Sequence, residues 1–135
     1  MVDDNGRRGG LLAWQWTLYP TGHTTRFNLL IHILTVPIFE IGTLTLLGSL
    51  AIAPLYALVG LAMMGGAMAA QGLGHARESQ PPVRFRGPVD VISRILAEQW
   101  IAFPRYVLTG GFTRAWVRAS PGSLTLRKRK YSARS

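Results

Sequence analysis

From Ile41 to Gly74 no residue carries a formal charge, and that stretch limits what the chain can become. It is too long and too apolar for a core helix, whereas a transmembrane span needs only about 20 such residues. The wider window makes the same point. None of the 15 Lys and Arg residues falls between Phe27 and Ala76, and Glu40 is the one acid there. An ionisable side chain at that depth is costly. Glu40 therefore reads either as a functional group or as a protonated acid hydrogen-bonded to Thr43 or to the next helix.

The expectation is an all-α membrane protein built around a transmembrane helical hairpin. The spans fall at about 29–52 and 55–73 and are joined by the short uncharged turn AIAP. Pro37 is expected to kink the first span. In the second, Gly60, Gly65, Gly66 and Ala70 let helix backbones approach closely. Residues 1–10 read as a flexible start. Leu11 to Tyr19 reads as a short N-terminal interfacial helix, with Trp14, Trp16 and Tyr19 near the headgroups. Pro20 to Gly22 gives a turn, and Thr24 caps the first span. Beyond Pro81 and Pro82 lies a C-terminal amphipathic or re-entrant helix at about 89–107. It carries Val89, Ile92, Ile95, Leu96 and Gln99 on one face and is bent by Pro104. Residues 11–112 then form one membrane domain, and 113–135 a basic tail.

The net charge of +9 follows from basic residues on both sides of the apolar block. By the positive-inside rule both termini are cytoplasmic, in a bacterial inner membrane or the endoplasmic reticulum. The Arg127–Lys130 run is topological, close to lipid phosphates, and no nucleic-acid partner is expected. With no cysteine, thiolate metal ligands are excluded. The composition is compatible with a homo-oligomer.

The hairpin makes a sharp statement about the three histidines. His23 and His32 lie at the start of the first span and His75 at the end of the second, so all three return to one membrane face. On one continuous helix His23 and His32 would point in opposite directions, so His23 must come from the preceding turn. Asn28 and His32 share a face, as do Gln71 and His75, and Glu78 follows His75 by three residues. Imidazoles with a carboxylate suit Fe, Zn, Cu or Ni, and two amides supply orienting partners. Haem held by two histidines is another reading of the same residues.

The segments HTTRFNLLIHILTVP and QGLGHARESQPP resemble the two signature blocks of a membrane family that includes the fungal 2-hydroxy fatty acid dioxygenase of the endoplasmic reticulum. His23, Asn28, His32 and Pro37 match the first block; Gln71, Gly74, His75 and the proline pair match the second. Glu78 falls one residue before the family glutamate. Fungal members carry further membrane segments and a further histidine between the blocks. The resemblance implies Fe(II)- and O2-dependent shortening of a 2-hydroxy fatty acid by one carbon. In that reading His23, His32 and His75, with Glu78, hold the iron, and Asn28 and Gln71 orient them. Arg77 or Arg84 attracts the substrate carboxylate. The alternative is a small non-enzymatic membrane protein, an assembly factor or subunit, with interfacial histidines.

Overall fold

The computed structural model describes residues 7–119, and every regular element among them is helical. Most of the expected flexible start and most of the basic tail lie outside the described residues.

Helix α1 (Gly10–Gly22) follows Gly9, whose φ of 79° is left-handed and suits glycine. It runs through Pro20, so the residues expected to turn form its last helical turn instead. A proline so near a helix end removes a single hydrogen bond, and the chain turns only at His23. The aromatic residues of α1 are not spread at a surface. Tyr19 is in the core, Trp16 packs against that core, and Trp14 lies under the guanidinium groups of Arg7 and Arg94.

Helix α2 (Arg26–Gly48) is capped by Thr25 rather than Thr24, the Thr25 hydroxyl accepting from the Asn28 N–H. It continues through Pro37 as one helix and ends four residues before the expected boundary. Thr35, Thr43 and Thr45 return their hydroxyls to carbonyls one turn back, which satisfies polar groups without water. Thr43, an expected partner of Glu40, is engaged in this way.

Helix α3 (Leu55–His75) packs along α2 in the opposite direction, as three contacts show. Asn28 lies against Gly74, Thr35 bonds Gln71 at 3.1 Å, and Gly42 lies against Gly60. A methyl group on Gly60 would come within 2.6 Å of the Gly42 carbonyl oxygen and 2.7 Å of the Leu46 nitrogen. This is the close approach that small residues permit. Gly65 and Gly66 face open space and take no part in it.

Helix α4 (Pro88–Ala97) is turned the opposite way from a helix in water. Val89, Ile92 and Leu96 are exposed, while Asp90 and Arg94 are buried. Asp90 pairs with Arg7 and accepts from the Arg86 N–H, and Arg94 donates to the carbonyls of Val83 and Arg84. These bonds fasten the start of the chain and the extended segment before α4 to its polar face.

A π-helical segment (Glu98–Ala102) follows, closed by a bond from the Phe103 N–H to the Glu98 carbonyl. Pro104, at the start of α5 (Phe103–Leu108), explains it. Having no N–H, it cannot bond the Trp100 carbonyl, and its ring crowds that oxygen, so the turn widens. The extra residue re-aims the helix so that Gln99, Ala102, Phe103 and Tyr106 all face inward beside α2. Helix α6 (Gly111–Arg118) begins at the end of the assigned domain, runs on into the stretch assigned to the tail, and places Phe112, Ala115 and Trp116 against the core of Tyr19, Leu29, Val36, Phe103 and Tyr106.

Helices α2 and α3 are both long and apolar enough to cross a membrane, and only 28% and 22% of their apolar windows are buried. The core helix of a soluble protein would be mostly covered. Here Leu34, Ile41, Leu44, Leu47, Leu58 and Leu61 stand exposed, more apolar surface than a monomer in water ordinarily shows.

Candidate metal centre

The polar interior converges on one point. His23, in the turn after α1, His32 on α2 and His75 at the end of α3 bring their rings together. Ring centroids lie 4.6 Å apart for His23–His32, 5.2 Å for His23–His75 and 4.9 Å for His32–His75. The fourth member is Glu98, at the start of the π segment. One ligand atom from each residue lies within 4.8 Å of all the others. The carboxylate of this cluster is therefore Glu98 and not Glu78.

Glu78 has other work. Its two oxygens accept from the N–H and hydroxyl groups of Thr24 and Thr25, and from the Asn28 side-chain amide at 2.9 Å. It thereby closes the turn that carries His23 onto the end of α3. Glu78→Gln is expected to keep metal content but to lower stability by about 2 kcal/mol, the scale of hydrogen bonds to a charged group. Thermal melts with elemental analysis check this; loss of metal with unchanged melting would contradict the assignment.

Two rings are held in a defined tautomer. His23 Nδ1 lies 3.1 Å from the Tyr19 carbonyl and His32 Nδ1 lies 3.0 Å from the Asn28 carbonyl. A carbonyl oxygen only accepts, so each Nδ1 carries a proton and Nε2 is the atom that each ring offers to a metal. Both Nε2 atoms are buried without a hydrogen-bond partner. They stand 3.6 and 3.5 Å from the same Glu98 oxygen. Lone pairs on these nitrogens and a carboxylate facing one another repel unless a cation, a proton or a metal ion, lies between them.

Electrostatics keeps the groups in these forms. Burial pushes the His23 imidazole down to about 3; His32 and His75 add to this, and Glu98 and the Tyr19 carbonyl oppose it. For Glu98, burial works against the charge. The neighbouring histidines, His32 foremost, outweigh it and bring the carboxyl down to about 2. At neutral pH the site thus holds a neutral His23 and an ionised carboxylate, the forms that a metal requires. A metal about 2.1 Å from each donor needs donor separations up to about 4.2 Å, so a contraction of roughly half an ångström closes the set. Ring centroids no more than 5.2 Å apart leave no room for a porphyrin between any two of them.

Supporting groups surround the donors. Tyr19 stacks on His23 at 4.1 Å between centroids and donates to Glu98 at 3.3 Å. Asn28 orients His32 through its backbone carbonyl, while its side chain ties Glu78 to Gly22. Gln71 bonds Thr35 and exchanges two hydrogen bonds with Gln99, and so braces α3 against the π segment instead of holding a histidine. Asn28 also presses on Gly74. Gly74→Ala would push it off its partners, and we expect a loss of about 1–3 kcal/mol together with weakened metal retention. Gly65→Ala, which meets open space, should change neither. Equal melts for the two variants would refute this contact.

A cavity of about 460 Å³ opens beside the cluster, within the usual range for ligand pockets. His23, His75 and Glu98 line it together with Met68, Val83 and Phe85. Neither Arg77 nor Arg84 lines it: Arg77 lies over the Phe27 ring, and Arg84 contributes a backbone carbonyl to Arg94. Arg94 is the arginine of its wall. No protein-family model matches the chain, and no curated protein and no solved structure matches it.

Proposed function

We propose that the chain is a membrane-embedded, metal-dependent oxygenase whose ligands are His23, His32, His75 and Glu98. In this reading α2 and α3 cross the bilayer as a hairpin with both termini cytoplasmic, and the cluster lies where the hairpin meets the cytoplasmic face. The exposed apolar faces of α2, α3 and α4 support the membrane setting, because lipid, unlike water, leaves such surfaces without cost. The observation that carries the metal is the pair of buried, unpartnered Nε2 atoms facing one carboxylate oxygen.

The metal proposed is Fe(II), and the substrate a 2-hydroxy fatty acid that is shortened by one carbon at the expense of O2. This rests on the resemblance of the two histidine blocks, with Glu98 supplying a further donor in a chain that lacks the additional histidine of fungal members. Iron in a histidine and carboxylate site supplies the one-electron chemistry that O2 requires. The chain's own residues do the rest. Tyr19 holds the Glu98 carboxylate by hydrogen bonding, the Gln71–Gln99 pair fixes the cavity wall, and Met68 with Phe85 receives the acyl chain away from water. Detergent-purified protein is expected to bind iron and to turn over 2-hydroxypalmitate, with turnover lost in His32→Ala. A co-purifying partner, with no metal and no dependence on the histidines, would favour a non-enzymatic subunit instead.

A further inference from the structure

A second cavity, of about 260 Å³, lies on the other side of His23. Of the residues lining the two cavities only His23 is common to both, so the two meet at that residue. Their chemistry differs. The larger one has Leu18, Met68, Val83, Phe85 and Ile95 in its wall beside the cluster residues. The smaller one is bounded by the end of α1 and by α6, with Tyr106, Arg114 and Arg118 in its wall and no acidic residue among those that line it.

Arg114 and Arg118 are one turn apart, so both guanidinium groups lie on one face of α6. Phe112, Ala115 and Trp116 anchor the helix to the core and leave that face to the cavity. Of the Arg114 guanidinium, Nη1 donates to the Thr109 carbonyl. Tyr106 is nine-tenths buried and lines the same space. Burial pushes its phenol up, while Arg114 and Arg118 pull it down and Glu78 opposes them, so the hydroxyl stays a proton donor at neutral pH. Glu78, the nearby acid, is occupied by Thr24, Thr25 and Asn28. Two guanidinium groups and a phenol around an apolar floor form a receptor for an oxyanion.

We propose that this cavity binds an oxyanion, a carboxylate or a phosphate, through Arg114, Arg118 and the Tyr106 hydroxyl, and that the anion sits beside the metal cluster on the far side of His23. The inference goes beyond the proposed function: the acyl substrate of that reading occupies the larger cavity, and the anion here is a separate ligand. Binding itself requires no metal.

The test uses the full chain in a neutral detergent at low salt, with and without chelator treatment. Its probes are acetate, inorganic phosphate and 2-hydroxypalmitate, followed by tryptophan fluorescence and calorimetry. The double variant Arg114→Gln/Arg118→Gln is expected to bind the anionic probe at least tenfold more weakly, and Tyr106→Phe severalfold more weakly. Arg84→Gln, whose side chain lines neither cavity, should match the wild type. If acetate or phosphate binds with this arginine dependence, a free oxyanion is the ligand. If only the acyl acid does so, the ligand is a lipid head group. Both outcomes uphold the site. Binding insensitive to Arg114 and Arg118, or lowered equally by Arg84→Gln, overturns it. Metal content of the double variant is expected to equal that of the wild type. Absence of metal from the wild type with arginine-dependent binding intact would therefore refute the metal reading alone.

Discussion

Glu98→Gln protein is expected to lose its metal by a factor on the order of 100, because changes just outside a ligand shell already cost 10- to 100-fold. The substitution removes the anion around which the histidines are arranged and leaves the shape of the side chain. In the metal-free protein it should do the opposite of harm. The new amide can donate to the His23 or His32 Nε2 atoms that are otherwise buried without a partner, so the metal-free variant should melt no lower than the metal-free wild type. That pairing of results distinguishes a ligand from a structural ion pair. A carboxylate that merely held two imidazolium groups in place would leave both charges buried when replaced, and the fold would weaken markedly. His32→Ala should also abolish metal retention but at a cost to packing, since His32 is fully buried against Phe103.

The second large effect is acid lability. The folded protein holds His23 down at about 3, against about 6.5 for a free imidazole. Between these two values the unfolded chain binds more protons at this residue than the folded one. Stability is therefore full above the unfolded value and is lost as pH falls towards the folded one. Melting temperature of the metal-stripped protein should hold from pH 8 to about 6.5 and decline as pH drops towards 3. Metal should leave in the upper part of the same range, because its ligands must be deprotonated. A melting temperature flat between pH 6.5 and 4 would contradict this.

The convergence of the three histidines was legible in the sequence, because it needs only two apolar helices joined by a short turn. So was the division by which His23 comes from a turn and His32 from a helix. Glu98 was not legible as a partner. It lies 23 residues past His75, on a helix whose apolar stripe draws attention to its other face. The signal was indirect: Pro104, read as a bend, forces a π turn that starts at Glu98 and re-aims the residues after it. Glu78 drew the assignment by proximity in sequence, yet its carboxylate is consumed by the turn it closes. In α1 the aromatic residues suggested an interface. What they serve instead is a wall, with Tyr19 between His23 and Tyr106. The buried Asp90 and Arg94 were hidden for a further reason. In water a helix buries its apolar stripe, and α4 does the reverse.

Elemental analysis combined with X-ray absorption on protein purified in detergent, without added chelator, tests the account at its centre. It predicts one iron per chain, a first shell of nitrogen and oxygen donors at about 2.0–2.2 Å with multiple scattering from imidazole, and loss of the signal in His32→Ala. Wild-type protein that holds no transition metal, even after loading with Fe(II) under anaerobic conditions, would contradict it.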